Sequence, residues 1–153
     1  MGTDGGGINI LDPTTGNITV LEHISGDNHS LPTNTILCLH SDSAGNIWAG
    51  SKREGVINIR EVSMRTYTNV VLGHNKGLSQ STVLQLYQEP ASEELWIATD
   101  GGGINKFIPS TETFVHYPDT WGDKMVSITS FTPNELLVSA FSKGIFIFDK
   151  KTG

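Results

Sequence analysis

Thr3-Asp4-Gly5-Gly6-Gly7-Ile8-Asn9 and Thr99-Asp100-Gly101-Gly102-Gly103-Ile104-Asn105 are the same seven residues in the same order, 96 positions apart. Halfway between them, 48 residues from each, Gly55-Val56-Ile57-Asn58 is a degenerate copy. A second set of residues keeps nearly the same step: Leu31-Pro32-Thr33-Asn34-Thr35-Ile36-Leu37-Cys38-Leu39 aligns with Leu78-Ser79-Gln80-Ser81-Thr82-Val83-Leu84-Gln85-Leu86. Trp48 and Trp96 each precede their glycine, Gly55 and Gly103, by seven residues, and a weaker fourth copy keeps that spacing with Leu137 before Gly144. A period of this length marks a chain built from one repeated supersecondary unit.

Each period resolves into four short strands. An apolar run comes first (35–41, 82–88 and 124–131), then a strand carrying the Trp: Asn46-Ile47-Trp48-Ala49-Gly50 and Glu94-Leu95-Trp96-Ile97-Ala98. Asp42-Ser43-Ala44-Gly45-Asn46 supplies the turn residues between the first two strands. A glycine-marked loop leads into a third strand such as Gly103–Ile108, and a fourth such as Thr113–Tyr117 alternates and is expected to be the more exposed. Four strands per 40–50 residues with glycine and aromatic anchors predicts an all-β fold of four-stranded antiparallel β-propeller blades. Trp48, Gly55, Trp96, Gly103 and Gly144 are the repeat anchors: indoles to fill the wedge between blades, glycines for positive φ or close backbone approach. The expected division is a partial blade 1–30, a blade 31–77, a blade 78–120 and a partial blade 121–153. That is about three blades' worth, whereas closed propellers have four to eight. An incomplete segment of a larger propeller is therefore expected, its open faces covered by other blades or by another copy of the chain.

Composition agrees. Charged residues are sparse at 17%, and the chain has 17 glycines and a formal net charge of −6. Its basic residues form no stripe, which excludes a phosphate backbone as partner. No apolar run is long enough to span a membrane, so no membrane contact by this segment is expected. Met1-Gly2 running straight into a glycine-rich strand reads as an imposed start inside a longer protein. Cys38 is the only cysteine, which excludes an internal disulfide, and its apolar run reads it as a small buried hydrophobe.

The repeats resemble the two-component regulator propeller repeat. The resemblance is carried by Leu31-Pro32-Thr33-Asn34, by Asp42, and by Gly45-Asn46-Ile47-Trp48-Ala49-Gly50-Ser51 with Gly55-Val56-Ile57-Asn58; it recurs in Leu95–Asn105. The last blade departs by losing its Trp and its Leu-Pro-like lead-in. The resemblance implies the periplasmic, extracytoplasmic sensor of a hybrid histidine kinase of the kind found in gut bacteria that degrade polysaccharides. It also implies an oligosaccharide ligand and a segment that is not itself an enzyme. Blades of the Trp-Asp and Asp-box kinds fit worse, because their signatures do not recur here.

No catalytic constellation stands out. The triple-glycine segments recur and lead into strands, whereas a phosphate loop is unique and leads into a helix. His23, His29, His40, His74 and His116 lack a short ligand spacing, so no metal is expected, and no cofactor. No Gly-x-Ser-x-Gly elbow is present. What remains is loop chemistry on the face shared by the second-to-third and fourth-to-first loops. The ligand-contact candidates there are Lys52, Arg53, Asp100, Trp121 and Lys143, with Glu54 and Ser142 beside them. The connections between blades add Asp27, Asn28, His29, His74, Asn75, Lys76 and Asp123. Trp121 is the most suggestive, as an indole able to stack on a sugar ring; the bland alternative is a blade-packing Trp displaced from its usual strand. Three function classes follow in order: a ligand-sensing propeller segment, an interaction scaffold, and a propeller lyase or glycosidase.

Overall fold

In the computed structural model, which describes residues 1–27, 29–60, 63–69, 75–90 and 92–153, the chain is all β. Asn28 and His74 lie outside the described residues. The first sheet pairs β1 (Ile8–Leu11) with β2 (Ile18–Leu21). The second runs in chain order through β3 (Ile36–Ser41), β4 (Ile47–Ser51), β5 (Val56–Arg60) and β6 (Ser63–Tyr67). The third does the same with β7 (Val83–Gln88), β8 (Leu95–Thr99), β9 (Ile104–Ile108) and β10 (Thr113–Tyr117). The last holds β11 (Met125–Thr132), β12 (Glu135–Ala140) and β13 (Gly144–Asp149). Every pairing between these strands is antiparallel, and the sheets do not close into a ring.

Strand alternation divides each blade between two cores. On β4 and β5, Ala49 and Ile57 pack back against Ile8, Leu31 and Ile36. Trp48 and Val56, one residue away, pack forward against Leu78, Val83, Leu95, Ile97, Phe107 and Phe114 of the third sheet. The pattern repeats: Trp96, Ala98, Ile104 and Tyr117 meet Met125, Ile128, Leu136, Val138 and Phe148 of the last. A period-two strand buried on both faces places every other residue in a different core.

The tryptophans sit at the centre of these seams. The Trp48 ring centroid is 5.2 Å from that of Phe107 on the neighbouring blade, and Trp96 lies 5.9 Å from Phe148 of the next. Trp48 Nε1 also donates to Asp42 Oδ2 at 2.9 Å, tying the indole to its own hairpin turn. Burial alone would raise the Asp42 carboxyl, but donors from Asn46, Trp48 and Ala44 outweigh it and hold the group below its usual range. Fourth strands are not uniformly exposed. On β10, Phe114 and Tyr117 are buried in the two seams, since they face the wedge on alternate sides, while Val115 faces solvent.

Backbone register sharpens one reading of the repeat. Gly50 pairs with Val56 and Ala98 with Ile104, so Gly55 matches Gly103 and Asn58 takes the place of Lys106 rather than Asn105. Asn105 clamps the lead-in of its own blade, accepting from Ser79 N at 2.9 Å and donating to Ser79 Oγ at 2.8 Å. The glycine before the third strand has positive φ in all four copies: 66° at Gly7, 80° at Gly55, 70° at Gly103 and 73° at Gly144.

Candidate functional site

A repeated backbone stitch builds one end of the molecule. In each full copy a hydroxyl closes the second-to-third loop: Thr3 Oγ1, Ser51 Oγ and Thr99 Oγ1 donate to the carbonyls of Gly7, Gly55 and Gly103 at 3.0, 2.9 and 2.8 Å. The closed loop then reaches the next blade's lead-in. The carbonyl just before the lead-in threonine or lysine is the acceptor each time: Gly7 N and its match Gly55 N donate to Asn34 O and Ser81 O, both at 2.9 Å, while Gly5 N and its match Gly101 N donate to Asn34 O at 3.0 Å and Asp123 O at 3.1 Å. In the fourth copy Ala140 replaces the hydroxyl. Loops after the second strand and lead-ins to the first strand therefore share one face.

Along that face the side chains form a continuous row. Asp4 bridges to Thr35, and Thr35 O accepts Lys52 N at 3.3 Å. Thr82 Oγ1 donates to Lys52 O, while Thr82 O accepts Asp100 N at 3.0 Å. Asp100 bridges to Lys124 and forms an ion pair with it at 3.3 Å; Lys124 O accepts Phe141 N at 2.9 Å. Lys52 N, Asp100 N and Phe141 N are held by the matching carbonyls of Thr35, Thr82 and Lys124, yet the side chains presented along the row are a carboxylate, an ammonium, hydroxyls and a phenyl ring. A rigid repeated scaffold carrying dissimilar side chains at one edge is how loop-borne recognition is built.

Directly below the row, each inner strand shifts register by one residue near its start, and β11 shifts again between Ser130 and Thr132. The shifts near the start fall between Ile36 and Cys38, Val83 and Gln85, and Met125 and Ser127. The skipped residues, Leu37, Leu84 and Val126, are apolar; Leu37 and Val126 are exposed and Leu84 is half-buried. A bulge re-aims a side chain at the rim of a sheet, and here it sets an apolar band beside the polar row. Cys38, next to the first bulge, is half-buried, and burial pushes its thiol up to about 12, so it offers no nucleophile to this face.

All five candidate contact residues fall on this end. Lys52 and Arg53 are exposed and line a pocket of about 290 Å³ with Thr33, Thr35 and Glu54. Asp100 is half-exposed and paired with Lys124. Trp121 is 39% exposed and lies outside the three interblade cores, held at the end of a 3-10 turn (Pro118–Thr120) by its N–H to Pro118 O at 2.9 Å. Lys143 is exposed beside Asp123. Asp27 and His29, in contrast, do not join the row. The connection that carries them runs past the outermost strand, and Asp27 lines a pocket of about 230 Å³ with Met64 and Thr66 of β6.

Five members of the row escape a reading of loop composition: Asp4, Thr35, Thr82, Lys124 and Phe141. The repeat itself signals Phe141, because it precedes Gly144 by the three residues that separate Asp4, Lys52 and Asp100 from Gly7, Gly55 and Gly103. Among the described residues no three His, Cys, Asp or Glu side chains gather as a metal set.

Asp123 joins three loops. Its carboxylate accepts from Ser142 Oγ at 2.6 Å, Ser142 N at 3.3 Å and Lys124 N at 2.7 Å. The Ser142 hydroxyl holds its carboxyl below the usual range, against burial and with help from the two N–H groups and the Lys143 charge. A group whose folded pKa is depressed stabilises the fold above its unfolded value, and that contribution disappears as pH falls through the folded value. Asp123→Asn should therefore be less stable than the parent chain near neutral pH, with a gap that narrows as pH drops below about 4. Urea midpoints measured from pH 7 to 2 check this; a gap independent of pH would show that the charge plays no part.

Residues 30–53 match the two-component regulator propeller family. None of the curated proteins matches the chain. Among solved structures it is similar to a B. thetaiotaomicron protein named as the extracellular domain of a hybrid two component system. The two share 18% identity at a TM-score of 0.53 over 97% of this chain and 25% of that one. A second, named as the extracellular domain of a one component system from the same organism, shares 20% identity at a TM-score of 0.50 over 95% of this chain and 26% of that one. The chain thus spans about a quarter of these relatives. It also overlays the computationally designed Ika8 protein, with 17% identity and a TM-score of 0.66 over 99% of this chain and 42% of that one. At such identities the likeness shows the propeller fold.

Proposed function

We propose that this chain, built from two-component regulator propeller repeats, is a ligand-reading segment of an extracytoplasmic sensor, and that it binds an oligosaccharide on the loop-face row without chemical turnover. The observation that carries the reading is the row itself: at each seam a loop glycine is bonded to the same lead-in carbonyl, and the row presents different polar side chains over an apolar band. A saccharide has the matching pattern, with hydroxyls at its edge and C–H groups on its faces. Family and compartment rest on the match at 30–53 and on the extracellular domains named among the similar structures.

Signal passing belongs to the same proposal. The row crosses the seams between blades, so a ligand spanning it binds one relative arrangement of blades best. A difference in affinity between two arrangements is what biases a distant histidine kinase in the parent protein. The outer face of the last sheet takes further blades of the same propeller or another copy of the chain. Periplasmic placement in a membrane-anchored sensor completes the reading.

The test is calorimetric titration of the protein with an oligosaccharide panel. Micromolar-to-millimolar binding to at least one member is expected, abolished or strongly weakened by combined substitution of Lys52, Asp100 and Lys143. No binding across the panel would sink the direct-ligand reading. The second reading, an interaction scaffold, is favoured by the outer face of the last sheet, where Ile145 and Ile147 are 71% and 53% exposed. A scaffold gives no heat with any oligosaccharide, so the same titration separates the two.

A further inference from the structure

We infer that Phe141 is a ligand-contact residue, an aromatic platform on which a pyranose ring stacks beside Trp121; the inference rests on the reading of the row as a saccharide site. Phe141 is 80% exposed. Two causes would produce that: the last sheet has no following blade over it, or the position faces solvent in every blade. The repeat decides between them.

Ile145 shows what a missing neighbour does. Its register counterparts Ile8, Val56 and Ile104 are all buried in the seam with the following blade, whereas Ile145 is open. Phe141 behaves differently. Its counterparts Asp4 and Lys52 stay exposed and Asp100 half-exposed, although each has a following blade docked against its loop. The position therefore faces solvent whether or not a blade follows. Three copies fill it with charge, as solvent exposure favours, and the fourth places a phenyl ring there.

A lone exposed apolar residue is ordinary, so the neighbours matter. Trp121 precedes Asp123 by two residues, Phe141 precedes Ser142 by one, and Ser142 Oγ donates to Asp123 at 2.6 Å. One hydrogen bond thus ties together the two segments that carry the exposed rings. Gly122 N, donating to Gly101 O at 2.9 Å, fixes the Trp121 segment to the third blade's loop. Around them stand Lys143 and the Asp100–Lys124 ion pair. Aromatic faces for the C–H side of a sugar and charged donors and acceptors for its hydroxyls are the two halves of a saccharide site.

The experiment titrates the protein and its variants with maltohexaose, cellohexaose, xylohexaose and mannohexaose by calorimetry, with a thermal melt of each variant. For whichever hexasaccharide binds, Phe141→Ala should weaken affinity by about tenfold or more, the loss of one central aromatic contact. Phe141→Trp should stay within about threefold of the parent. The melting temperature of Phe141→Ala should match that of the parent. Binding unchanged in Phe141→Ala overturns this inference and leaves the saccharide reading standing. Weaker binding accompanied by a melt several degrees lower assigns Phe141 to the fold and overturns it too. No binding of any hexasaccharide by the parent overturns both.

Discussion

Trp96→Ala is expected to destabilise the protein by about 3–5 kcal/mol, the range for removing a fully buried Trp from a core. Trp96 is buried among residues of two blades, 5.8 Å from Tyr117 on its own sheet and 5.9 Å from Phe148 on the next. Its loss leaves a void that neither sheet can fill alone, because each is fixed by its own hydrogen-bond ladder. The Phe substitutions separate packing from polarity. Trp96 Nε1 is buried with no hydrogen-bond partner among the described residues, whereas Trp48 Nε1 donates to Asp42. Trp96→Phe removes an unsatisfied donor along with some volume, so it should retain most of the stability. Trp48→Phe removes a donor from a carboxylate that depends on it and should cost about 1 kcal/mol more than Trp96→Phe. Urea unfolding of these variants and the parent chain measures this. Equal losses for the two Phe variants would mean that the indole nitrogens are irrelevant.

Gly55→Ala should cost about 3 kcal/mol, well beyond the 1–2 kcal/mol that a left-handed backbone conformation alone imposes on alanine. A Cβ on Gly55 would sit 2.9 Å from the Tyr67 carbonyl carbon, closer still to its oxygen, and 3.0 Å from Thr68 Cα. These are backbone atoms, and no rotamer change relieves the clash. Gly144 is the built-in control. Its φ of 73° is close to the 80° of Gly55, but among the described residues nothing lies within 4 Å of the point where an alanine methyl would sit. Gly144→Ala should therefore show only the conformational penalty, about half the effect of Gly55→Ala. Chemical denaturation of the pair decides it; identical losses would mean that φ, and not the approach of the fourth strand, sets the need for glycine.

The blades were legible because each anchor has a local cause. A tight third-strand start needs glycine and a wedge needs an aromatic ring, so Gly55 and Gly103 recur in register with Trp48 and Trp96. The expected strands 35–41, 82–88 and 124–131 begin one residue before β3, β7 and β11. What stayed hidden has no side-chain signature. The stitch between Gly5, Gly55 or Gly101 and the next lead-in is backbone to backbone, and any residue can supply the acceptor. Asn58 looks like a copy of Asn105 in the sequence, yet pairing to the second strand places it one position on, where it bonds Arg60 instead of a lead-in serine. Phe141 was invisible for a different reason. It directly follows the apolar run of β12, and only its distance from Gly144 groups it with the solvent-facing Asp4, Lys52 and Asp100.

The division of each full blade between two cores has a consequence for how the chain holds its shape. Neither full blade completes its core alone: Trp48 needs Phe107, and Trp96 needs Phe148. The cooperative unit is then the seam, made of the forward half of one sheet and the backward half of the next. Each sheet's forward face is completed only by its neighbour, so stability is shared between adjacent sheets like the teeth of a zipper. The sheet that carries Phe141 supplies the backward half of the third seam, so Trp96 is fully enclosed only once that sheet has formed.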